Sequence, residues 1–337
     1  MIPSKENDSL YSALHSEIYY AKKYVQLYNE KQNIVDFNYK KGENEFYCLS
    51  VKNPIEKIGE LELSDGYFDS ETPYGYGGPI TNSEDQGFIE EALLAYSEEL
   101  KKQNVIAEFL RFNPFNAFPE KFGAALSFSA HERNTISINL NQPLEDIFSS
   151  FKSSLRRNIR KAIQNNLVFR VAEKTDETIM NFAELYTQTM QKNKASQFYF
   201  FDKTYFKDLC KIPNVQIVEV LHEGKVTNAA ILFEESHRIY YHLGASHPDH
   251  YHLNGNPFLF YSIAGLYAEK KNELFLGGGN SISPEDALFK FKSKFNPTET
   301  LPFYIGGLIV SDIYHEYCEL RQKQAEEKIP YFLKYRF

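Results

Sequence analysis

Val215-Gln216-Ile217-Val218-Glu219-Val220-Leu221, Val226-Thr227-Asn228-Ala229-Ala230-Ile231-Leu232-Phe233 and Arg238-Ile239-Tyr240-Tyr241-His242-Leu243-Gly244-Ala245 are three consecutive stretches rich in β-branched and aromatic residues. The turns between them fall at His222-Glu223-Gly224-Lys225 and Glu234-Glu235-Ser236-His237, so they read as an antiparallel meander. Upstream lie a strand at 168–171 and helices at 175–192 and 205–210. Downstream, Asn256-Pro257 opens a helix over 258–271, with Pro well placed in its first turn. A short strand at 274–276 then runs into Gly277-Gly278-Gly279, and 303–310 reads as a last strand. Helix pair, meander, helix and strand make an α/β (α+β) plan, a mixed and mostly antiparallel sheet flanked by helices.

The same order is legible in the first half. An amphipathic helix over 10–31 carries Leu14, Ile18, Ala21, Val25 and Tyr28 at helical spacing. Strand-like segments at 34–39, 46–51 and 58–63 follow, then a helix from Ser83, with Gln86 at capping-box spacing, to about 102, and a strand at 105–110. Segments 125–130 and 135–140 read as a further strand pair. At 337 residues the chain is long for one domain and sufficient for two. The order of elements divides it into domains 1–145 and 146–337, joined by a helix over about 144–165. The repeated plan resembles two tandem acetyltransferase (GNAT)-like domains, an inference from element order alone.

Composition narrows the function. A formal charge of −8 disfavours a DNA-binding protein, because phosphate affinity rests on Lys and Arg releasing counterions. Cys48, Cys210 and Cys318 are odd in number and lack metal spacing, which suits a reducing compartment. With no basic-then-apolar leader at the N-terminus and no apolar run near the roughly 18 residues of a membrane span, a cytoplasmic location is expected.

The junction helix is the clearest charged feature. Its apolar stripe is Phe148, Phe151, Leu155, Ile159 and Ala162, and its other face stacks Lys152, Arg156 and Arg160 with Arg157 and Lys161 alongside. Like charges at that spacing repel, so the face invites an anion such as a phosphate, or is simply solvated. Tyr74-Gly75-Tyr76-Gly77-Gly78-Pro79 lets a ligand approach the backbone but lacks the ending of a nucleotide-binding loop. Gly277-Gly278-Gly279 fails the dinucleotide spacing and reads as a bend leaving amides free beside a cleft. Phe289-Lys290-Phe291-Lys292-Ser293-Lys294-Phe295 puts its lysines on one side if extended and spreads them if helical. His242, His247, His250 and His252 sit close together, but the run Ser246–His252 falls in a loop without a clear ligand pair, so no metal is expected.

These motifs, with Arg111-Phe112-Asn113-Pro114 and Leu155 through Ala162, resemble in order and spacing the FemAB-like acyltransferases, which include enzymes that add amino acids to peptidoglycan precursors. The resemblance implies an N-acyltransferase that moves an acyl or aminoacyl group to an amine, the first choice of acceptor being a cell-wall or surface-polysaccharide precursor. It implies that Lys292, beside Phe291, stabilises the tetrahedral oxyanion. It also implies that Tyr74, Tyr76, Gly77, Gly78, Arg111, Asn113, Arg156, Arg157, Arg160, Tyr241, His242 and Phe291 bind substrate. The partner is then a phosphorylated or nucleotide-linked small molecule. No tightly held cofactor is expected, and the donor is aminoacyl-tRNA, met transiently, or acetyl-CoA or another acyl-CoA. The acetyl-CoA signature is missing before the helix at 258, although a bend at Gly255 with Asn256 at a helix start could receive a pyrophosphate. Two alternatives follow: an acetyl-CoA-dependent N-acetyltransferase of amino sugars, and a binding protein with a degenerate cleft.

Overall fold

The computed structural model describes residues 17–28 and 33–337. Much of the expected opening helix, Leu14 included, lies outside the described residues. The part inside them is a single 3₁₀ turn, Ile18–Tyr20, and a four-residue helix α1, Lys22–Val25, separated by the extended backbone of Ala21.

Two compact units emerge, one running to Glu132 and resumed over Pro302–Phe337, the other Arg133–Leu301. This division differs from the expected 1–145 and 146–337. The chain leaves the first unit partway along one strand and returns within another, a crossing that local patterns do not announce.

In the first unit, β1 (Ile34–Lys41) and β2 (Asn44–Pro54) form a hairpin around Gly42. The segment expected as the third strand instead folds into the separate small hairpin β3 (Lys57–Ile58) and β4 (Leu61–Glu62), turning at Gly59 with φ 58°. Its place beside β2 is taken by β5, Phe68–Glu71. Phe-Asp-Ser-Glu has no apolar periodicity, and its strand character comes from burial of Asp69 and Ser70 against neighbours. β6 (Ile80–Thr81) pairs with β2. Helix α2, Gln86–Lys102, is capped by Asp85, whose carboxylate accepts from the Gly87 amide at 2.9 Å, and not by Ser83. It buries Phe88, Ile89, Ala92, Tyr96 and Leu100 against β7, Val105–Arg111, which runs parallel to β5. A short helix α3, Phe118–Phe122, precedes β8, Phe128–Asn139. β8 is one continuous strand where two were expected. Its polar centre reads as a turn in sequence but stays extended.

The second unit begins along β8. The expected junction helix is two helices, α4 (Leu144–Ser150) and α5 (Ser153–Gln164), parted by extended backbone at Phe151 and Lys152. The break lets Phe151 turn into the core, and the Lys152 amide donates to the Lys294 carbonyl at 2.9 Å. After β9 (Val168–Ala172) come α6 (Asp176–Lys192), capped by Thr175, and α7 (Lys203–Cys210), capped by Asp202. The meander β10 (Val215–His222), β11 (Lys225–Glu234) and β12 (Arg238–Ser246) forms as expected. Helix α8 (Gly255–Tyr267), β13 (Glu273–Gly277) and α9 (Ala287–Lys292) complete the unit. Its sheet runs β8-β13-β12-β11-β10-β9, and its core packs α5 and α8 on one face through residues such as Leu155, Ile159, Leu259 and Ile263.

β14 (Leu301–Ile309) returns the chain to pair with β7, and α10 (Ile313–Gln324) leads to the C-terminus. No helix among the described residues is long and apolar enough to cross a membrane. The end of the chain is fastened by Arg336, whose Nε lies 2.7 Å from Oδ2 of Asp69, a carboxylate only 1% exposed. A second guanidinium nitrogen reaches Asp69 Oδ1 at 2.8 Å. Removing one member of such a pair strands a buried charge, so Arg336→Ala should destabilise the protein by about 3 kcal/mol in urea denaturation. A loss below about 1 kcal/mol would show that Asp69 is relieved in some other way.

Candidate active site

The second unit contains a fork. β12 and β13 are parallel neighbours only over Arg238–Tyr240 and Glu273–Phe275. Beyond that, β12 stays with β11 as far as the Asn228–Ser246 pair, while β13 stays with β8 as far as the Gly277–Ile136 pair. Each strand has a register shift where they part, with His242 the extra residue on β12 and Leu276 on β13. Bulges sharpen local twist and re-aim side chains, and here they open the sheet between its two central strands.

Lys292 stands at this opening. It is 7% exposed, and its ammonium donates to the Gly278 carbonyl at 2.8 Å, just past the end of β13. Burial pushes its pKa down to about 8, opposed only by the charge of Asp286. The glycine run works through its carbonyls: that of Gly278 holds Lys292, and that of Gly279 accepts from Arg133 at 3.1 Å. The amides just beyond it, of Asn280 and Ser281, are already bound by Asp286, so the expectation of free amides does not extend to them. The aromatic-basic segment is helical, and its lysines are spread: Lys290 is exposed and pairs with Glu285, whereas Lys292 is buried.

Phe291 and Tyr241 are brought to one apolar wall. Both contact Phe260 of α8, Tyr241 edge-on at 4.7 Å and Phe291 at 6.0 Å between ring centroids. Gly244 is required here, since a Cβ would fall 1.5 Å from the Tyr241 hydroxyl. His242 lies in the bulge, stacked on Phe233 at 3.9 Å with Tyr205 Oη 3.5 Å from Nε2. Burial lowers its pKa to about 3, so it is neutral at pH 7 and a weak base.

Gly255 and Asn256, expected to receive a donor phosphate, are engaged otherwise. A Cβ on Gly255 would sit 1.7 Å from Asn228 Oδ1, and Asn228 Nδ2 donates to Asn256 Oδ1 at 2.9 Å and to Ser246 Oγ at 3.0 Å. Pro257 also removes an amide from the first turn of α8. The start of this helix is a packed polar junction.

On α5, Arg157 and Arg160 are exposed and Arg156 is half-buried. Arg156 donates to the Ser149 carbonyl, and Arg160 lies over the Phe148 ring at 5.3 Å. Among the described residues, no carboxylate forms an ion pair with Lys152, Arg156, Arg157, Arg160 or Lys161.

The first unit holds the same parallel pair, β5 with β7, but there the fork is stitched. The Thr72 amide donates to the Phe109 carbonyl at 3.2 Å, the Gly77 amide to the Arg111 carbonyl at 2.9 Å, and the Asn113 amide to the Gly77 carbonyl at 3.3 Å. Gly78 lies under the Phe112 ring, where a Cβ would come within 2.8 Å. Arg111 binds Glu71 and the Thr72 carbonyl at 2.9 and 2.8 Å, and Asn113 Oδ1 caps the Phe115 amide. Gly77, Gly78, Arg111 and Asn113 therefore build the loop, while Tyr74 and Tyr76 keep half-exposed rings.

Residues 149–288 match the family model of an acetyltransferase (GNAT) domain. The FemX crystal structure superposes with a TM-score of 0.63 at 14% identity, over 88% of this chain and 93% of that one. The chain shares the fold of FemX. The C-terminal domain of a putative lysylphosphatidylglycerol synthetase from Agrobacterium fabrum gives 0.53 at 15% identity, covering 82% and 84%. L-PGS from Bacillus licheniformis gives 0.51 at 11%, covering 81% and 84%. No curated protein matches the sequence.

Within this tandem GNAT-like fold, the sequence pointed to Lys292 but missed Asp286 and Phe260, which shape its surroundings. Asp286 had a signal, an Asp three residues before Phe289 in cap position; Phe260 had none. Among the described residues, no group of three or more His, Cys, Asp or Glu is arranged for a metal.

Burying the Lys292 ammonium costs roughly 3 kcal/mol at neutral pH, the equivalent of its shift. The unfolded chain binds the extra proton between about pH 8 and 10.5, so stability rises with pH across that window. Lys292→Met should abolish that rise and, after loss of the Gly278 hydrogen bond, still gain about 1 kcal/mol at pH 7. A variant whose melting temperature keeps climbing from pH 8 to 10 would place the titration elsewhere.

Proposed function

We propose that the chain is an N-acyltransferase in which Lys292 stabilises the oxyanion formed when an acceptor amine attacks an activated acyl carbonyl. The observation that carries this reading is the buried ammonium at an open fork, fixed by one carbonyl and therefore pre-aimed. The amine nitrogen bonds to the carbonyl carbon, the oxyanion collapses, and the donor's leaving atom departs with the electron pair. Holding both reactants in the fork supplies much of the rate. The amine proton passes to the leaving atom or to solvent, because a histidine with a pKa near 3 is poorly matched to accept it at pH 7. His242, Tyr241 and Phe291 then serve as walls.

The closed start of α8 supports an aminoacyl ester, as on aminoacyl-tRNA, over acetyl-CoA as donor, since Gly255 and Asn256 offer no pocket for a pyrophosphate. The name of the Agrobacterium neighbour adds a lysyl product to this fold. The basic face of α5, which meets no carboxylate among the described residues, suits a phosphorylated acceptor, for which a nucleotide-linked cell-wall or surface-polysaccharide precursor in the cytoplasm is the natural choice.

Transfer should be assayed from aminoacyl-tRNA to a UDP-linked muropeptide, with acetyl-CoA and amino sugars in parallel. Lys292→Met should lower kcat by about 100-fold or more. The ammonium is the active form, so kcat should fall as pH rises through about 8, and Lys292→Arg should abolish that limb. An unchanged rate in Lys292→Met removes the lysine from the mechanism. Acceptor binding without transfer from any donor would favour the non-catalytic binding protein. Replacing Arg156, Arg157 and Arg160 with Ala should raise KM for a phosphorylated acceptor about tenfold and flatten its salt dependence, with kcat little changed. Equal KM values would detach the basic face from the substrate.

A further inference from the structure

We infer that Asp286 is the positioning residue for Lys292, a single carboxylate that joins the two walls of the lysine's socket. The inference rests on the catalytic reading of Lys292 given above. One wall is α9, which carries Lys292 on its last turn and is only six residues long, too short to hold its own geometry. Asp286 caps it, with Oδ1 accepting from the Phe289 amide at 2.9 Å. The other wall is the loop after β13, whose Gly278 carbonyl receives the ammonium. Asp286 Oδ2 accepts from the amides of Asn280 and Ser281, both at 3.1 Å, and from the Ser281 hydroxyl at 3.2 Å. The two oxygens are thus divided, one for each wall. Gly279 permits this closeness, since a Cβ there would lie 2.3 Å from Oδ1.

The same carboxylate acts on the charge of Lys292. Other charged groups stand around the socket: Arg133 of β8, bound to the Gly279 carbonyl; Lys290, neutralised by Glu285; and Lys152 and Lys294, joined through their backbones. These are cationic or already paired. Asp286 is the one group that favours the ammonium against burial. Burial opposes the charge of Asp286 as well, yet the donated hydrogen bonds keep its own pKa below the ordinary value. It therefore stays ionised throughout the range in which Lys292 titrates.

The test follows the ammonium directly. The intact protein is labelled with 13Cε-lysine and titrated by NMR, with Lys292→Met assigning the resonance. Asp286→Asn retains the acceptor to one wall and removes the charge. Its Lys292 midpoint should fall by about one pH unit, the basic limb of kcat should move with it, and Asp286→Glu should restore much of the midpoint. A Lys292 midpoint unmoved in both Asp286→Asn and a folded Asp286→Ala overturns the inference. If Lys292→Met keeps full turnover while the midpoint shifts in Asp286→Asn, the catalytic reading falls and the Asp286–Lys292 coupling stands.

Discussion

The fork between β12 and β13 is the constraint on which the second unit depends. Parallel strands seldom separate, because each gives up ladder hydrogen bonds that water or another strand must replace. Here both losses are covered: β11 continues to hold β12, and β8 continues to hold β13. The opening is therefore backbone-satisfied on its outer sides. What enters it from the protein is a lysine on a short helix, carried in by the packing of Phe291 and Phe295 against Phe260.

The two units show how one plan reaches different ends. Both have antiparallel strands followed by a helix and a strand parallel to the last of them. In the first, the glycine loop after β5 is laid along β7 and stitched to it through Thr72, Gly77 and Asn113. In the second, the chain after β12 turns away through a 3₁₀ turn at Pro248–Leu253 into α8. Glycines serve opposite purposes in the two places. Gly78 lets the Phe112 ring approach closely enough to seal a fork, whereas Gly279 lets the Asp286 carboxylate reach the loop beside the ammonium.

A buried ammonium costs stability, and the structure offsets little of that cost locally: one carbonyl contact and one nearby carboxylate. The rest is borne by the apolar packing of α5 and α8 on the sheet. Retaining such a group in a core-like position is the kind of local conflict that active sites carry and structural cores avoid.

The meander 215–245 and the helices over 175–192 and 205–210 were legible because they rest on local periodicity and turns, whereas Lys292 was singled out by the family resemblance of its aromatic-basic run. Tertiary packing decided the remainder. β5 could not be read from Phe-Asp-Ser-Glu, since its polar residues become strand-like only when Asp69 meets Arg336 from the far end of the chain. The helix over 144–165 broke because Phe151 gains more from the core than the helix gains from continuity. Gly255 and Asn256 read as a phosphate site until Asn228 and Ser246, distant in sequence, were seen to occupy them. By itself the sequence determined the type of most elements, because this is set within a few residues. Only the tertiary structure decided which fork is open, which glycines seal and which seat a charge, because those depend on atoms that the fold brings together from across each unit.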